Sequence, residues 1–322
     1  MDLPLIFAGL MGLAILVYVL LDGYDLGVGM LMPAASREEQ DLMVASIGPF
    51  WDANETWLVM GIGLLLVAFP VAHGEILVAL YLPVAAMLVG LMLRGVAFEL
   101  RVKAHGWHRE LWNWLFWAGS TLASFSQGLM LGRYVTGFEP GAGYWLFAMV
   151  VGASLCGGYV LLGATWLIHR TEGEVHEKSK AWARWGLLWV ALAVALVSIG
   201  TPLVSQTVRE RWFDFPRTAP LMLLPLATLG AGVFVWVQVM RSDWKPFVGA
   251  AAIFILAFAG LAYSLFPYVL MDRLTIWQAA AHESALIFLG VGAAIVLPFI
   301  FGYTIYSYRV FRGKVRPGIY EH

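Results

Sequence analysis

The feature that most constrains this chain is a series of long apolar runs separated by short polar breaks. An α-helix needs about 20 residues to cross the hydrocarbon core of a bilayer. Hydrophobic residues make up 61% of the chain and charged residues only 13%, whereas a soluble domain has about 45–50% and about 25%. Because only lipid can solvate so much apolar surface, the sequence predicts an all-α polytopic membrane protein, with one integral membrane domain over residues 1–322.

Nine of these runs are predicted to be transmembrane helices. They are Leu3–Met32, Leu42–Phe69, Ile76–Phe98, Trp112–Leu131, Tyr144–Ile168, Trp185–Thr201, Pro220–Met240, Phe247–Leu270 and Ala285–Tyr308. The first two exceed the required length, so we expect them to tilt or to project into water. The first run also lacks the basic region and the cleavage site of a signal peptide, so it is interpreted as a helix of the mature protein.

The basic residues are distributed unequally between the two sets of breaks. Fourteen of the twenty Lys and Arg residues, including Arg316, fall on one side; five, including Arg217, fall on the other, and Arg94 lies within the third run. Because cytoplasmic loops carry the excess of positive charge, this asymmetry predicts a periplasmic N-terminus and a cytoplasmic C-terminus. The net charge of −1 gives no indication of nucleic-acid binding.

Ionisable side chains within the first three runs are the strongest functional signal. Such a group at membrane depth costs at least about 2.5–3.5 kcal/mol, so it usually marks a function. The candidates are Asp22 and Asp25 in the first run, Asp52 and Glu55 in the second, and Arg94 and Glu99 in the third. At a spacing of three residues, the two acids of the first run share a helix face, and so do the two of the second.

The position of the acids along their helices suggests a route for protons. Gly23 and Gly27 allow close helix approach, so we expect the acidic face of the first helix to contact the second helix. Asp25 and Asp52 lie about 10 Å and about 15 Å from the cytoplasmic ends of their runs. They could therefore form a carboxylate ladder that rises from the cytoplasm, or they could be static partners of Arg94 or solvated groups at a helix end.

The histidines provide no sign of a haem site in this chain. His73, His105, His108, His169, His176, His282 and His322 all fall in predicted loops or at the ends of runs. A haem buried in the membrane would need an axial ligand in the middle of a run, and no phosphate-binding loop or catalytic triad is present. The pattern predicts proton-handling residues in a subunit that supports a cofactor held elsewhere.

Two segments carry a resemblance to a known family. Residues 22–29, Asp-Gly-Tyr-Asp-Leu-Gly-Val-Gly, and residues 51–57, Trp-Asp-Ala-Asn-Glu-Thr-Trp, closely resemble subunit II of cytochrome bd-type ubiquinol oxidases. Residues 94–99, 266–268, 274–277 and 311–315 resemble the same family, so the similarity extends over nearly the whole chain. The Asn54-Glu55-Thr56 tract and the short loops are more similar to the cyanide-insensitive branch.

The resemblance implies a quinol:dioxygen oxidoreductase of the bacterial inner membrane that is inactive without its partner. In this family, subunit I of the heterodimer holds the haems, which are of b type and d type or of b type alone. Quinol is oxidised at the periplasmic face, and dioxygen is reduced to water. Small single-helix accessory subunits are further partners in this family, and some members hold a structural quinone or lipid, although no residue here requires one.

The resemblance also implies roles for individual residues, none of them catalytic. It implies a cytoplasmic proton path through Asp25 and Asp52 with Asp22 and Glu55 nearby, supporting roles for Trp51, Asn54, Arg94 and Glu99, and an oxygen route beside Trp57. Two other hypotheses remain open from the residues themselves. A proton-coupled transporter would also use intramembrane carboxylates, although an odd number of spans fits repeat halves poorly. A scaffold subunit would use the acids only for structure.

Overall fold

The computed structural model of the chain describes residues 2–214 and 219–315. Arg217, Arg316 and His322, which entered the sequence predictions, lie outside the described residues. Within those ranges the helices are α1 Leu3–Leu31, α2 Arg37–Ile47, α3 Trp51–Ala68, α4 Pro70–Ala79, α5 Tyr81–Lys103, α6 Trp107–Val135, α7 Ala142–Arg170, α8 Gly173–Val204, α9 Gln206–Phe213, α10 Leu223–Gln238, α11 Lys245–Leu265, α12 Ile276–Ala279 and α13 Glu283–Val310. Short 3₁₀ helices span Met32–Ala34 and Ala219–Met222.

Six helices of the described ranges are long and apolar enough to cross a membrane. They are α1 with its 3₁₀ extension, α5, α7, α8, α11 and α13, and α10 is a shorter apolar helix. The prediction of a helical, polytopic membrane protein is therefore confirmed. Each of the nine predicted runs overlaps at least one helix, but nine crossings and the orientation of the termini stay predictions.

The second predicted run is not one continuous helix. It is divided into α2 and α3 by residues 48–50, where Gly48 and Pro49 stand side by side. Glycine is a weak helix former, and proline removes a backbone donor and clashes with the preceding turn. Asp52 consequently lies in the first turn of α3 rather than in the middle of a long helix.

Prolines also explain two further departures from the predicted runs. Pro70 begins α4, and Pro83 lies in the first turn of α5, so the third run is interrupted at Leu80. The helix of the eighth predicted run, α11, ends at Leu265, before Pro267, rather than at Leu270. The chain continues instead into an antiparallel two-stranded hairpin, β1 Tyr268–Leu270 with β2 Leu274–Thr275, which is a small exception to the all-α prediction.

The C-terminal half of α1 lies at the centre of the bundle. All residues from Asp22 to Gly29 are buried, and α1 packs on α3, α6 and α7. The small residues Gly23 and Gly27 face Tyr159 and Gly163 of α7, because a helix without side chains at these positions admits a neighbouring backbone. The prediction that the acidic face of α1 contacts the second run is confirmed, since Asp25 is hydrogen-bonded to Asn54 of α3, whereas the two glycines admit α7 instead.

Replacing Gly23 by alanine is expected to destabilise the protein by about 1–3 kcal/mol, as overpacking typically does. An added Cβ would lie 2.7 Å from Tyr159 Cε1 and 3.3 Å from Leu162 Cδ1, so the α7 side chains must shift. Thermal unfolding of the purified complex measures the loss. Gly9→Ala on the same helix is the matched control, since its Cβ would meet nothing within 4 Å. Equal melting temperatures for the two variants would contradict the packing argument.

The basic loops of the sequence meet at one end of the bundle. Arg101 of α5 contacts Asp41 of α2 at 2.8 Å, and Arg109 of α6 contacts the same carboxylate. Lys314 lies 2.8 Å from Asp243 and donates to the carbonyl of Ile168. These ion pairs join loops that are distant in sequence, so the residues predicted to be cytoplasmic do share one end, which we call the basic end.

Glu39 links two helices at the basic end. Its carboxylate accepts hydrogen bonds from Lys178 Nζ at 2.8 and 3.0 Å, and it completes a capping box with Ser36 at the start of α2. Burial acts to raise the pKa of Glu39, but the bonds from Lys178 and Ser36 outweigh it and lower the pKa below the ordinary 4.5. The ionised form is therefore stabilised by the fold.

Glu39→Gln is expected to reduce the free energy of unfolding by about 1 kcal/mol at pH 7. Because the folded-state pKa is lowered, this contribution is present above the unfolded pKa and is lost as the pH falls through the folded pKa. Thermal unfolding of wild type and variant from pH 7 to about pH 2.5 should show the difference shrinking below the unfolded pKa. Glu38→Gln, an exposed neighbour, serves as control, and a difference that does not change with pH would argue against the ionised pair.

Candidate functional site

A buried ion-pair cluster joins the first three predicted runs. Arg94 of α5 is 1% exposed, and its Nη2 lies 2.7 Å from Asp22 Oδ1 of α1 and pairs with Glu55 Oε1 of α3. The approach to Asp22 is a close charge contact without hydrogen-bond alignment, since both Asp22 oxygens lack a hydrogen-bond partner. One guanidinium thus stands between two carboxylates from different helices.

The second acid of α1 has a neutral partner instead. Asp25 is fully buried, and Asn54 Nδ2 donates to its Oδ2 at 2.7 Å. The other oxygen, Oδ1, is buried without a hydrogen-bond partner. Asn54 also lies 3.1 Å from the hydroxyl of Tyr24, which is 2.6 Å from the hydroxyl of Tyr308 on α13. Asp25 is therefore at the inner end of a chain of polar side chains.

Two of the predicted site residues face outward. Asp52 is exposed in the first turn of α3, and Glu99 is exposed on α5, five residues beyond Arg94. Glu55 lies between these extremes, because its side chain is 28% exposed while it pairs with Arg94. The structure thus brings Asp22, Glu55 and Arg94 together, and it leaves Asp52 and Glu99 on the surface of the isolated chain.

The two tryptophans of the second motif occupy different environments. Trp51 packs on Phe98 at 4.9 Å and lies under the guanidinium of Arg94 at 5.9 Å. Trp57 is 1% exposed and contacts Phe301 of α13 at 4.8 Å, and its indole nitrogen has no hydrogen-bond partner. Trp51 therefore supports the charge cluster, whereas Trp57 lies in an apolar layer between α1 and α13.

Several polar residues of the interior were not singled out from the sequence. Tyr159 of α7 donates to Gln127 of α6 at 2.7 Å, and Gln127 donates to Tyr18 of α1 at 2.8 Å. Tyr18 precedes Asp22 by one helical turn. The hydrogen-bonded row of Tyr159, Gln127 and Tyr18 therefore continues the acidic face of α1 away from the basic end. Tyrosines are common in apolar runs, and only the i, i+4 spacing of Tyr18 and Asp22 could have indicated the connection.

Two of the three carboxylates are paired with Arg94, and the third is not. Arg94 carries a single positive charge, so it cannot balance Asp22, Glu55 and Asp25 if all three are ionised. Unbalanced charge in a low-dielectric interior is strongly unfavourable. The guanidinium lies next to Asp22 and Glu55, whereas Asp25 has the Asn54 amide as its hydrogen-bond partner. A proton on Asp25 would therefore break no ion pair.

Four histidines at the basic end are poorly placed for a haem. A haem requires axial donors that face it from within the bundle, but His105 and His108 are exposed, and His176 Nδ1 contacts the carbonyl of Ile168. His169 is the penultimate residue of α7. Over residues 2–214 and 219–315, no group of three or more His, Cys, Asp and Glu side chains could hold a metal ion.

Comparisons with known proteins agree over almost the whole chain. The family described as Cytochrome bd terminal oxidase subunit II matches residues 3–311. The chain is 28% identical to cytochrome bd ubiquinol oxidase subunit 2 of Bacillus subtilis, with 92% of each chain covered. It is 26% identical to cytochrome bd-I ubiquinol oxidase subunit 2 of Escherichia coli K12, with 95% of this chain and 93% of that protein covered.

A solved structure has the same fold. A chain of the bd oxidase from Geobacillus thermodenitrificans aligns with a TM-score of 0.78 and 17% sequence identity, and the alignment covers 97% of this chain and 99% of the other. At this level of identity the similarity concerns the fold alone. The short interruptions at Gly48 and Leu80 therefore lie within an architecture that a related assembly also adopts.

Proposed function

The chain belongs to the cytochrome bd terminal oxidase subunit II family, and we propose that it supplies the cytoplasmic proton path by which its oxidase reduces dioxygen to water. Membership of the family makes it a subunit of a bd-type quinol oxidase and a multi-pass protein of the bacterial inner membrane. Its proposed role is to support subunit I and to deliver protons, and we propose that it is inactive alone.

The haems of the enzyme are proposed to lie in subunit I. The family implies haem cofactors and a quinol substrate, and the exposure of His105 and His108 and the backbone contact of His176 support placing the haems in the partner. When bound in the partner, the haems would carry electrons from quinol and would provide the site of dioxygen reduction. This chain then contributes polar side chains that hold protons inside the membrane.

The observation that carries the proposal is the environment of Asp25. This carboxyl is completely buried, it faces an amide instead of a cation, and one of its oxygens lacks a partner. A carboxyl in such a position is expensive to retain without a function. Since Asp22 is next to Arg94, the pair provides a fixed charge while Asp25 exchanges the proton.

Asp52 and Glu55 are proposed to connect this path to the partner. Within the first two turns of α3, Asp52 is exposed and Glu55 is partly exposed, and subunit I would cover both. An uncovered carboxylate facing lipid would be unfavourable, so a protein neighbour accounts for their exposure in the isolated chain. Trp51 and Glu99 flank this surface, and Asn54 holds Asp25 in the interior, all three in a supporting role. An oxygen route beside the buried Trp57 completes the proposal.

The proposed topology has nine crossings with the N-terminus in the periplasm. The interrupted pairs α2–α3 and α4–α5 each contribute to one crossing, and the basic end faces the cytoplasm. Proton uptake from that side, combined with proton release by quinol at the periplasmic side, would move net charge across the membrane. Labelling of single cysteines introduced at the basic end should then occur only after the cytoplasmic side is opened.

The direct test uses the complete complex. A tag on the C-terminus of this chain allows purification from native membranes, followed by a reduced-minus-oxidised spectrum and quinol-driven oxygen uptake on the same sample. We expect haem bands and uptake together, and the bands distinguish a b-type pair from a b- and d-type pair. A colourless, inactive preparation of folded protein would instead favour a proton-coupled transporter.

A further inference from the structure

We infer that Tyr308, on the last helix, is a positioning residue for Asp25, which it orients through Asn54 and Tyr24. The inference rests on the proposed proton path, and it adds a helix that neither sequence motif contains. Tyr308 is 254 positions away from Asn54 in the chain, yet the two side chains meet inside the bundle. The argument depends on hydrogen bonds, on ring packing and on the position of this residue along α13.

The hydrogen bonds give Tyr308 control over the Asn54 amide. The Tyr308 hydroxyl donates to Asn54 Oδ1 at 3.4 Å and lies 2.6 Å from the Tyr24 hydroxyl. Asn54 Nδ2 in turn lies 3.1 Å from Tyr24 Oη and 2.7 Å from Asp25 Oδ2. Two tyrosine hydroxyls therefore contact both ends of the amide that holds Asp25. Together with the carbonyl of Leu21, which accepts from Asn54 Nδ2 at 3.2 Å, they orient that amide toward the carboxyl.

Ring packing holds the Tyr308 side chain in place. Its ring stacks on Phe50 at 4.5 Å and meets Trp166 edge-on at 6.1 Å. Tyr24 stacks on the same Trp166 at 4.1 Å. The two hydroxyls are thus set in an aromatic wall formed by α1, α7, α13 and the α2–α3 turn, and the wall lets neither ring turn away.

The wall lies between Asp25 and the basic end. Tyr308 is two residues from the end of α13, and the guanidinium of Arg170, at the end of α7, lies over Phe50 and Trp166 at 5.6 and 5.5 Å. Asp25 lies six residues inside the end of α1, or about 9 Å along the axis. The hydroxyl pair is therefore the polar part of this wall on the side from which protons are proposed to arrive.

Tyr308→Phe in the intact oxidase tests the inference. The variant keeps the ring and its packing on Phe50, and it removes only the hydroxyl. Loss of one hydrogen bond of ordinary strength corresponds to about a fivefold change, so we expect kcat for quinol-driven oxygen uptake to fall about fivefold with KM for quinol unchanged. Tyr306→Phe, an exposed tyrosine of the same helix, is the matched control and should retain wild-type kcat.

An infrared signature separates positioning from simple damage. The redox-induced difference spectrum should contain a carbonyl band of protonated Asp25, identified by its loss in Asp25→Asn, and this band should shift in Tyr308→Phe but not in Tyr306→Phe. A wild-type kcat in Tyr308→Phe, or a reduced kcat with an unshifted band, would overturn the inference. Full turnover of Asp25→Asn would overturn the proton path itself, so the two failures are distinguishable.

Discussion

Replacing Asp25 by asparagine in the intact oxidase is expected to lower quinol-driven oxygen uptake by about 100-fold or more. A positioned group that transfers protons typically contributes a factor of about 10²–10⁴ to a rate. The substitution is nearly isosteric, and Asn54 can still hydrogen-bond to the new amide oxygen, so the fold should be retained. An amide cannot take up and release a proton near neutral pH, so proton delivery would limit the rate of dioxygen reduction.

The controls for Asp25→Asn address assembly and location. The haem spectrum and the subunit ratio of the purified variant should equal those of wild type, because a loss of haem would indicate a scaffold role instead. Asp52→Asn is expected to have a smaller effect, since Asp52 lies on the surface of this chain, where groups of the covering subunit I can also carry protons. Glu38→Gln, at the exposed start of α2, should be without effect. Near-normal turnover of Asp25→Asn, with an unaltered solvent isotope effect, would contradict a proton path through this residue.

Arg94→Ala should destabilise the complex by about 3–5 kcal/mol, because it leaves Asp22 and Glu55 in the interior without their cation. Asp22 is 0% exposed, and the guanidinium of Arg94 lies 2.7 Å from its Oδ1. The helices α1, α3 and α5 meet at this guanidinium, so its removal affects the packing of all three. The expected result is a large decrease in the amount of assembled complex and in its melting temperature.

A double variant separates charge from packing at Arg94. Arg94→Met combined with Asp22→Asn removes the cation together with its fully buried acid, and an apolar replacement of a buried ion pair is often neutral. We therefore expect the double variant to be more stable than Arg94→Met alone, as measured by thermal unfolding and by haem content. If Arg94→Met by itself is as stable as wild type, the ion pair is not a structural element of this subunit.

The pattern of apolar runs was sufficient to predict the general architecture. Runs of about 20 apolar residues must form helices in lipid, because no water is available for the backbone groups. Charged residues within apolar runs are conspicuous. The sequence alone therefore identifies Asp22, Asp25, Glu55 and Arg94 as candidates. Their description as candidates depended only on local composition and spacing.

The apolar runs did not reveal where helices are interrupted or which helices pack against each other. The breaks at Gly48 and Pro49 and at Leu80 are short, and a hydropathy pattern averages over them, so Asp52 was placed in mid-helix although it lies in the first turn of α3. The preference for contact between consecutive helices suggested α3 as the neighbour of Gly23 and Gly27. The glycines contact α7 instead, because close packing follows shape and not order along the chain.

The sequence by itself determined that this chain crosses a membrane, which residues carry charge inside it, and which family it resembles, because composition and short motifs are local properties. Only the tertiary structure decided that Arg94 stands between Asp22 and Glu55, that Asp25 faces Asn54, and that Tyr308 reaches the same site from the last helix. The physical reason is that hydrogen bonds and ion pairs depend on distances of about 3 Å between atoms, and residues far apart in a sequence come that close only when the helices have packed.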